Sequence, residues 1–164
     1  MVTIRSFTES DKDSWDEYVL CHPEGTPFHL IAWMSVVEES QKHKSMYILA
    51  EEEVGSLKKI IGVMPLFLIE NFFFGKYIIS IPYAEIGGIL ADNLDIEKQL
   101  LDQAVVHAKG IKCAYLELRN REQKFNLPVK DLYYNFKREI YPNIDENMDA
   151  IPRKARRMVR QGIK

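Results

Sequence analysis

Residues 46–82 read MYILAEEEVGSLKKIIGVMPLFLIENFFFGKYIISIP, and the fold turns on how this run divides. From Ser45 onward the apolar residues recur at a period near two, which is the repeat of a strand with one buried face. Three strands are expected: Met46 to Glu51, Lys58 to Ile69 and Lys76 to Pro82. Gly55-Ser56 supplies a turn between the first two, and Gly75 marks the turn into the third. Sequential strands joined by short turns form an antiparallel meander, so the expected class is α+β.

Outward from this run the period changes. Val2, Ile4 and Phe7 alternate with polar residues and suit a first strand. Thr8 or Ser10 then caps an acidic turn ahead of Trp15, Tyr18 and Val19 on one helical face. His22 to Gly25 reads as a loop, and Thr26-Pro27 as the start of a second helix bearing Leu30, Trp33, Met34 and Val37. Beyond the meander, Asp92 or Asn93 opens a helix with the face Leu94, Leu101, Val105 and Ala108, closed by Gly110. Ile111 to Leu118 reads as a buried strand, Tyr134 to Tyr141 as another, and a last helix starts near Asp149. The expected order is therefore β-α-α-β-β-β-α-β-β-α.

Composition bounds the function classes. The 164 residues suit one domain, and 46% hydrophobic with 28% charged residues is ordinary for a globular chain. The N-terminus has no apolar signal region, and the longest apolar run, Ile60 to Ile69, is about half of a membrane span and contains Pro65. Two cysteines without a CxxC spacing suggest a reducing, cytoplasmic setting and no structural disulfide. The net charge of −2 conceals an asymmetry. Residues 151–164 carry six cations and no acid, which leaves 16 of the 22 basic side chains against all 24 acids, a net −8, in the other 150. A basic segment on an acidic body suggests an anionic partner or a helix that packs on something else.

Three constellations could carry chemistry. Arg153, Arg156 or Arg157, Arg160 and Lys164 form one stripe of the last helix, with Met148, Ile151, Ala155 and Met158 on another. Guanidinium forks match phosphate oxygens, although a solvated basic face has the same pattern. In SIPYAEIGGIL, 80–90, the Gly87-Gly88 pair permits close backbone approach or a positive-φ turn. Glu85 there could act as a base or orient an amine, or be the surface carboxylate of a β-bulge, and Tyr83 could simply pack. Arg119 and Glu117 at a strand end face a cleft or form a structural ion pair. His22, His29, His43 and His107 show no metal-ligand spacing, and no nucleotide or nucleophile-elbow motif occurs, so no metal and no cofactor are expected. Cys21-His22 lacks an assignable third partner for a catalytic thiol.

Taken in order, TPFHLIAW (26–33), IGVMPLFL (61–68), SIPYAEIGGIL (80–90), YLELRN (115–120) and IPRKARRMVRQGIK (151–164) resemble the first half of the Fem-type aminoacyltransferases. The nearest likeness is to the branch associated with exopolysaccharide and exosortase systems. The resemblance implies two GNAT-type domains in tandem, with a mixed, largely antiparallel sheet flanked by helices. It implies transfer of an amino acid from aminoacyl-tRNA to an amine of an anionic cell-envelope precursor. In that family the first domain helps to hold the precursor, and the groups promoting transfer lie largely in the second. The expected organisation is a GNAT-like domain over 1–150 and a basic helical segment over 151–164 leading to a second such domain. On that expectation the chain is inactive alone. By position, Trp33 matches the family's helix tryptophan, Gly87-Gly88 its glycine pair, and Arg153, Lys154, Arg156, Arg157 and Arg160 its basic segment. Some members have a lysine after that tryptophan that contacts precursor phosphate. Met34 and Ser35 stand here, which weakens the case for the usual cell-wall acceptor.

Two other readings remain. The basic helix could dock RNA or a partner chain, with Tyr133-Tyr134 or Phe136 available for stacking. An acetyl-CoA-dependent N-acetyltransferase ranks third. It calls for a glycine-rich loop at a helix start whose amides cradle pyrophosphate, and Gly87-Gly88 is a different pattern.

Overall fold

Val2, Ile4 and Phe7 do start a strand, β1 (Val2–Ser6), whose inward residues pack on the core. The computed structural model describes all residues except 56, 72, 74, 131–133, 135, 137 and 164. The described chain divides into two units, Met1–Asn126 and Leu127–Lys164.

In the first unit, a turn at Glu9–Asp11 leads into α1 (Lys12–Cys21), and the Asp11 carboxylate accepts the Thr8 N–H at 2.8 Å. The Thr26-Pro27 start gives only a short turn, Pro27–His29. Leu30 is extended (ψ 151), and α2 begins at Ile31 and runs to Gln41. The start of α2 is completed from outside: Asp16 on α1 accepts the Ile31 N–H at 2.8 Å, satisfying an amide that has no partner within its helix. The buried Trp15 indole donates to the His29 carbonyl at 2.8 Å, fixing α1 against this entry.

The 46–82 run divides differently from the expectation. The strands are β2 (Lys44–Ser45), β3 (Ile48–Val54), β4 (Leu57–Met64), β5 (Phe67–Asn71) and β6 (Gly75–Ile79). The single strand expected over 58–69 is broken at Pro65, which has no N–H to donate to a ladder. The β4 ladder ends with Met64 opposite Ile48, and the next ends with Phe67 opposite Ser45. Both chains therefore switch sheet at the same level, joined there by the Met46 N–H to the Leu66 carbonyl at 2.7 Å. With β7 (Leu90–Ala91) and β8 (Leu116–Glu117), the described strands form two sheets, β1-β3-β4-β7 and β2-β5-β6-β8. All pairs are antiparallel except β6 with β8. The architecture is α+β, with mixed, largely antiparallel sheets flanked by helices.

α3 (Leu94–Gly110) and the α1–α2 pair each carry one of the two apolar clusters. In β3, Ile48 and Ala50 join the α3 cluster while Leu49 joins the other, as alternation requires. A register shift beside Ala50/Glu51 leaves Ile61 unpaired in β4, so Ile61 and Gly62 both face α3. A Cβ on Gly62 would lie 2.9 Å from Ile96 and 3.0 Å from Leu100, so the missing side chain lets α3 sit close. Leu94, expected on the inward face, is exposed, and Ile96, Leu100 and Ala104 take its place. On the opposite face Glu51 is buried beneath Arg5 (2.8 Å) and Lys58 (2.7 Å).

The buried strand expected over 111–118 is largely a turn. α3 runs on to Gly110, Lys112 is left-handed (φ 56), and only Leu116–Glu117 ladder with β6. In the second unit the described residues of 134–141 form no strand, and Tyr134, Phe136 and Ile140 are exposed. Tyr133 and Lys164 lie outside the described residues. The single last helix is two, α4 (Ile144–Ala150) and α5 (Arg153–Gly162), divided at Pro152, which caps α5 instead of lying in its first turn. Met148 is thus separated from the stripe assigned to it.

Candidate functional site

The segment 80–90 leaves β6 and returns to the sheet at β7 along a tightly held path. The Ser80 N–H donates to the Glu117 carbonyl at 2.9 Å, and the Arg119 N–H donates to Ser80 Oγ at 3.0 Å. Arg119 then reaches across: Nη1 donates to the Ala84 carbonyl at 2.6 Å, and Nε pairs with Glu117 at 3.0 Å. The structural ion pair expected for Arg119 and Glu117 is present, and the same guanidinium also clamps the loop.

Gly87 and Gly88 are needed for close approach; neither has positive φ. A Cβ on Gly87 would sit 1.9 Å from Ile81 Cδ1, and one on Gly88 would sit 1.7 Å from Asn120 Oδ1. The nearby amides are engaged within the chain. Gly87 N–H donates to the Arg119 carbonyl at 3.0 Å, and Ile89 N–H to Asn120 Oδ1 at 3.1 Å. The β-bulge considered for this segment lies instead in β4, and Glu85 is an exposed carboxylate.

Tyr83 sits at the tip with φ 64, in the left-handed region, at a cost of about 1–3 kcal/mol for a non-glycine residue. Its ring is exposed, and its hydroxyl lies 2.9 Å from His43 Nε2. Trp33 stands apart from this loop on α2. It is half-buried edge-on to Phe28, with ring centroids 4.9 Å apart, and its indole N–H has no partner among the described residues. Met34, which follows Trp33, is buried in the core.

Beside the glycine pair lies a cavity of about 20 Å³, lined by His29, Gly88, Asn120, Arg121, Lys124, Glu24 and Glu97. That is room for about one water molecule. Lys124 bridges the buried Glu97 (2.6 Å) and Glu24 (3.2 Å). His29 is buried, and its Nδ1 accepts the Thr26 N–H at 3.3 Å, so the proton of the neutral ring is on Nε2. Nε2 faces the Gly88 backbone without a full hydrogen bond. Burial, against a smaller opposing pull from Gly88, holds the His29 pKa down at about 4.

The pyrophosphate of acetyl-CoA does not fit this arrangement. Two of the amides beside the glycine pair, those of Gly87 and Ile89, are occupied by Arg119 and Asn120, and Asn120 fills the space over Gly88. The helix that follows is capped by its own Asn93 and carries in its first turn the exposed Asp95, a charge that repels phosphate, beside Glu97, which is already bridged to Lys124.

In the second unit, α5 presents Arg153, Lys154, Arg156, Arg157, Arg160 and Gln161 on one open face. Arg156 is tied to Asp149 at 2.6 Å. The other four cations pair with no acid among the described residues. The structure thus brings Tyr83, Gly87, Gly88 and Arg119 together around the 80–90 segment and sets Arg153, Lys154, Arg156, Arg157 and Arg160 on one face of α5. Asn120 and Ser80 are not singled out by the sequence, and His29 and His43 are weighed there only as metal ligands, although Asn120, Ser80 and His29 lie inside or at the edge of the quoted segments.

No family model matches the chain, and no curated protein matches it. Solved structures do. A GNAT family acetyltransferase from Staphylococcus aureus matches with a TM-score of 0.54 at 16% identity, over 85% of this chain and 98% of that one. A Trypanosoma brucei acetyltransferase matches with a TM-score of 0.55 at 14% identity, over 83% and 100%. A transcriptional regulator from Bacillus halodurans matches with a TM-score of 0.53 at 20% identity, over 83% and 100%. At these identities the likeness is one of architecture, and the chain has the fold of the GNAT acyltransferases.

Proposed function

We propose that this chain serves aminoacyl transfer of the Fem type, with the GNAT-fold unit holding an amine acceptor and α5 engaging the phosphates of aminoacyl-tRNA. One observation carries the reading. Arg119 and Asn120 hold the Gly87 and Ile89 amides, Asn120 fills the space over Gly88, and the following helix start is capped by Asn93, while four cations without an acid partner among the described residues stand together on α5. A GNAT fold so built favours a donor held by other means than a pyrophosphate cradle. The ordered motifs from TPFHLIAW to IPRKARRMVRQGIK support the same donor class. Transfer would depend on a second GNAT-type domain, the setting would be the cytoplasm, and the acceptor would be an amine of an anionic envelope precursor.

The test is binding of aminoacyl-tRNA across a salt series. Four unpaired cations predict a slope of log K against log salt of about −3, falling to about −1 when Arg153, Arg157 and Arg160 become Ala and only Lys154 remains. Salt-independent binding, or none at low salt, sinks the reading. Binding of uncharged RNA with equal affinity would favour the second reading, a docking helix without transfer chemistry, which the exposed basic face of α5 supports by itself.

A further inference from the structure

The first unit keeps one polar pairing that its packing does not require. Tyr83 and His43, 40 residues apart, lie hydroxyl to Nε2 at 2.9 Å, with rings parallel to within 2° and centroids 5.9 Å apart. Neither belongs to the apolar clusters, and the Tyr83 ring is 60% exposed. Yet the Tyr83 backbone is held left-handed at φ 64, while His43 follows directly on Lys42, the left-handed residue that caps the C-terminus of α2. Such a conformation persists only where its surroundings impose it. Here Arg119 clamps the Ala84 carbonyl, Gly87 donates to the Arg119 carbonyl, and Ile81 packs beneath Gly87. Strain fixed in place at an exposed tip, with no gain in the core, points to what the tip faces.

We propose that Tyr83 and His43 are the proton-accepting pair of an amine-acceptor subsite, an assignment that rests on the acyl-transfer reading above. With the phenol donating to His43 Nε2, the phenol oxygen keeps a lone pair for an incoming amine. As the amine nitrogen attacks the ester carbonyl, the N–C bond forms and the C–O bond to the donor breaks. The proton lost by the amine passes to the phenol oxygen while the phenol's own proton passes to His43 Nε2. The departing alkoxide takes a proton back from the imidazolium, so ester and amine become amide and alcohol with no further reactant.

The experiment is a titration of the isotopically labelled chain with ethanolamine at constant pH, read at the His43 imidazole and Tyr83 ring resonances. A saturable shift at both rings is expected. It disappears at His43 in Tyr83→Phe, and at Tyr83 in His43→Gln, with both variants keeping a dispersed amide spectrum. No shift at either ring in the unmodified chain, or an unchanged shift in the variants, overturns the proposal. Salt-dependent tRNA binding of the unmodified chain, measured alongside, separates failure of this pair from failure of the transfer reading.

Discussion

His29 should make this protein lose stability well above the pH at which its carboxylates titrate. The ring is 1% exposed, and burial chiefly holds its pKa at about 4, against an ordinary 6.5. The folded state thus binds fewer protons than the unfolded state between these values, so folding is disfavoured as the pH falls from 6.5 towards 4. The difference of about 2.5 units, at about 1.4 kcal/mol per unit, amounts to about 3 kcal/mol in full, of which about 2 kcal/mol is lost by pH 5. Replacing His29 by Gln removes this proton linkage. It also removes the Thr26 contacts to Nδ1, at a cost of about 1 kcal/mol at every pH. Urea unfolding at pH 7 and pH 5 for both proteins isolates the linkage, because the other three histidines are common to both. The unmodified protein should lose about 2 kcal/mol more than His29→Gln over that interval. Equal losses in the two proteins would refute the placement of a neutral, desolvated ring at this position.

Gly88→Ala, whose Cβ would meet Asn120 Oδ1 at 1.7 Å, should destabilise by about 1–3 kcal/mol, seen as a lower urea midpoint at unchanged slope. Gly110→Ala is the matched control: its Cβ meets nothing within 4 Å at the end of α3, and the change should be neutral or stabilising by up to about 1 kcal/mol. Glu51→Gln should cost about 1–3 kcal/mol at neutral pH by loosening Arg5 and Lys58. Arg5 first, then Lys58, holds the Glu51 carboxyl below its ordinary 4.5, so its contribution is present above that value and lost as pH falls through the folded pKa. The variant should therefore show a shallower acid limb in a stability–pH profile.

Much of the frame was legible in sequence because its signals are local. The alternation of Val2 and Ile4, the Trp15–Val19 face and the Asn93 cap each depend on residues within one turn or strand. Of the two roles the sequence left open for the glycine pair, close approach or a positive-φ turn, the structure shows the first, since only a missing Cβ admits Ile81 and Asn120 at such distances. What failed was tertiary. An unbroken apolar run over 60–69 looks like one buried strand, but a proline without an N–H moves it from one sheet to another. The strand over 111–118 shrank because the chain beyond Gly110 first turns back on α3, with Lys112 left-handed and the Cys113 N–H donating to the Ala108 carbonyl. The pairings of Asn120 and His43 were not readable because their partners, Ile89 and Tyr83, lie 31 and 40 residues away. No periodicity connects such pairs. Arg119 was found because a charged residue at a strand end is conspicuous; its grip on the Ala84 carbonyl was not foreseeable.

The central claim is that this GNAT fold is closed to a CoA-type phosphate at its glycine pair and meets anions through α5. An amide-resolved NMR titration with acetyl-CoA, followed by one with tRNA, tests it directly. The account predicts no saturable shift at Gly87, Gly88, Ile89 or the first turn of α3 with acetyl-CoA, and salt-dependent shifts at Arg153, Lys154, Arg157 and Arg160 with tRNA. Saturable acetyl-CoA binding that moves the Gly88, Ile89 and Asn120 amides, with α5 silent towards tRNA, would contradict it and restore an acetyl-CoA-dependent enzyme.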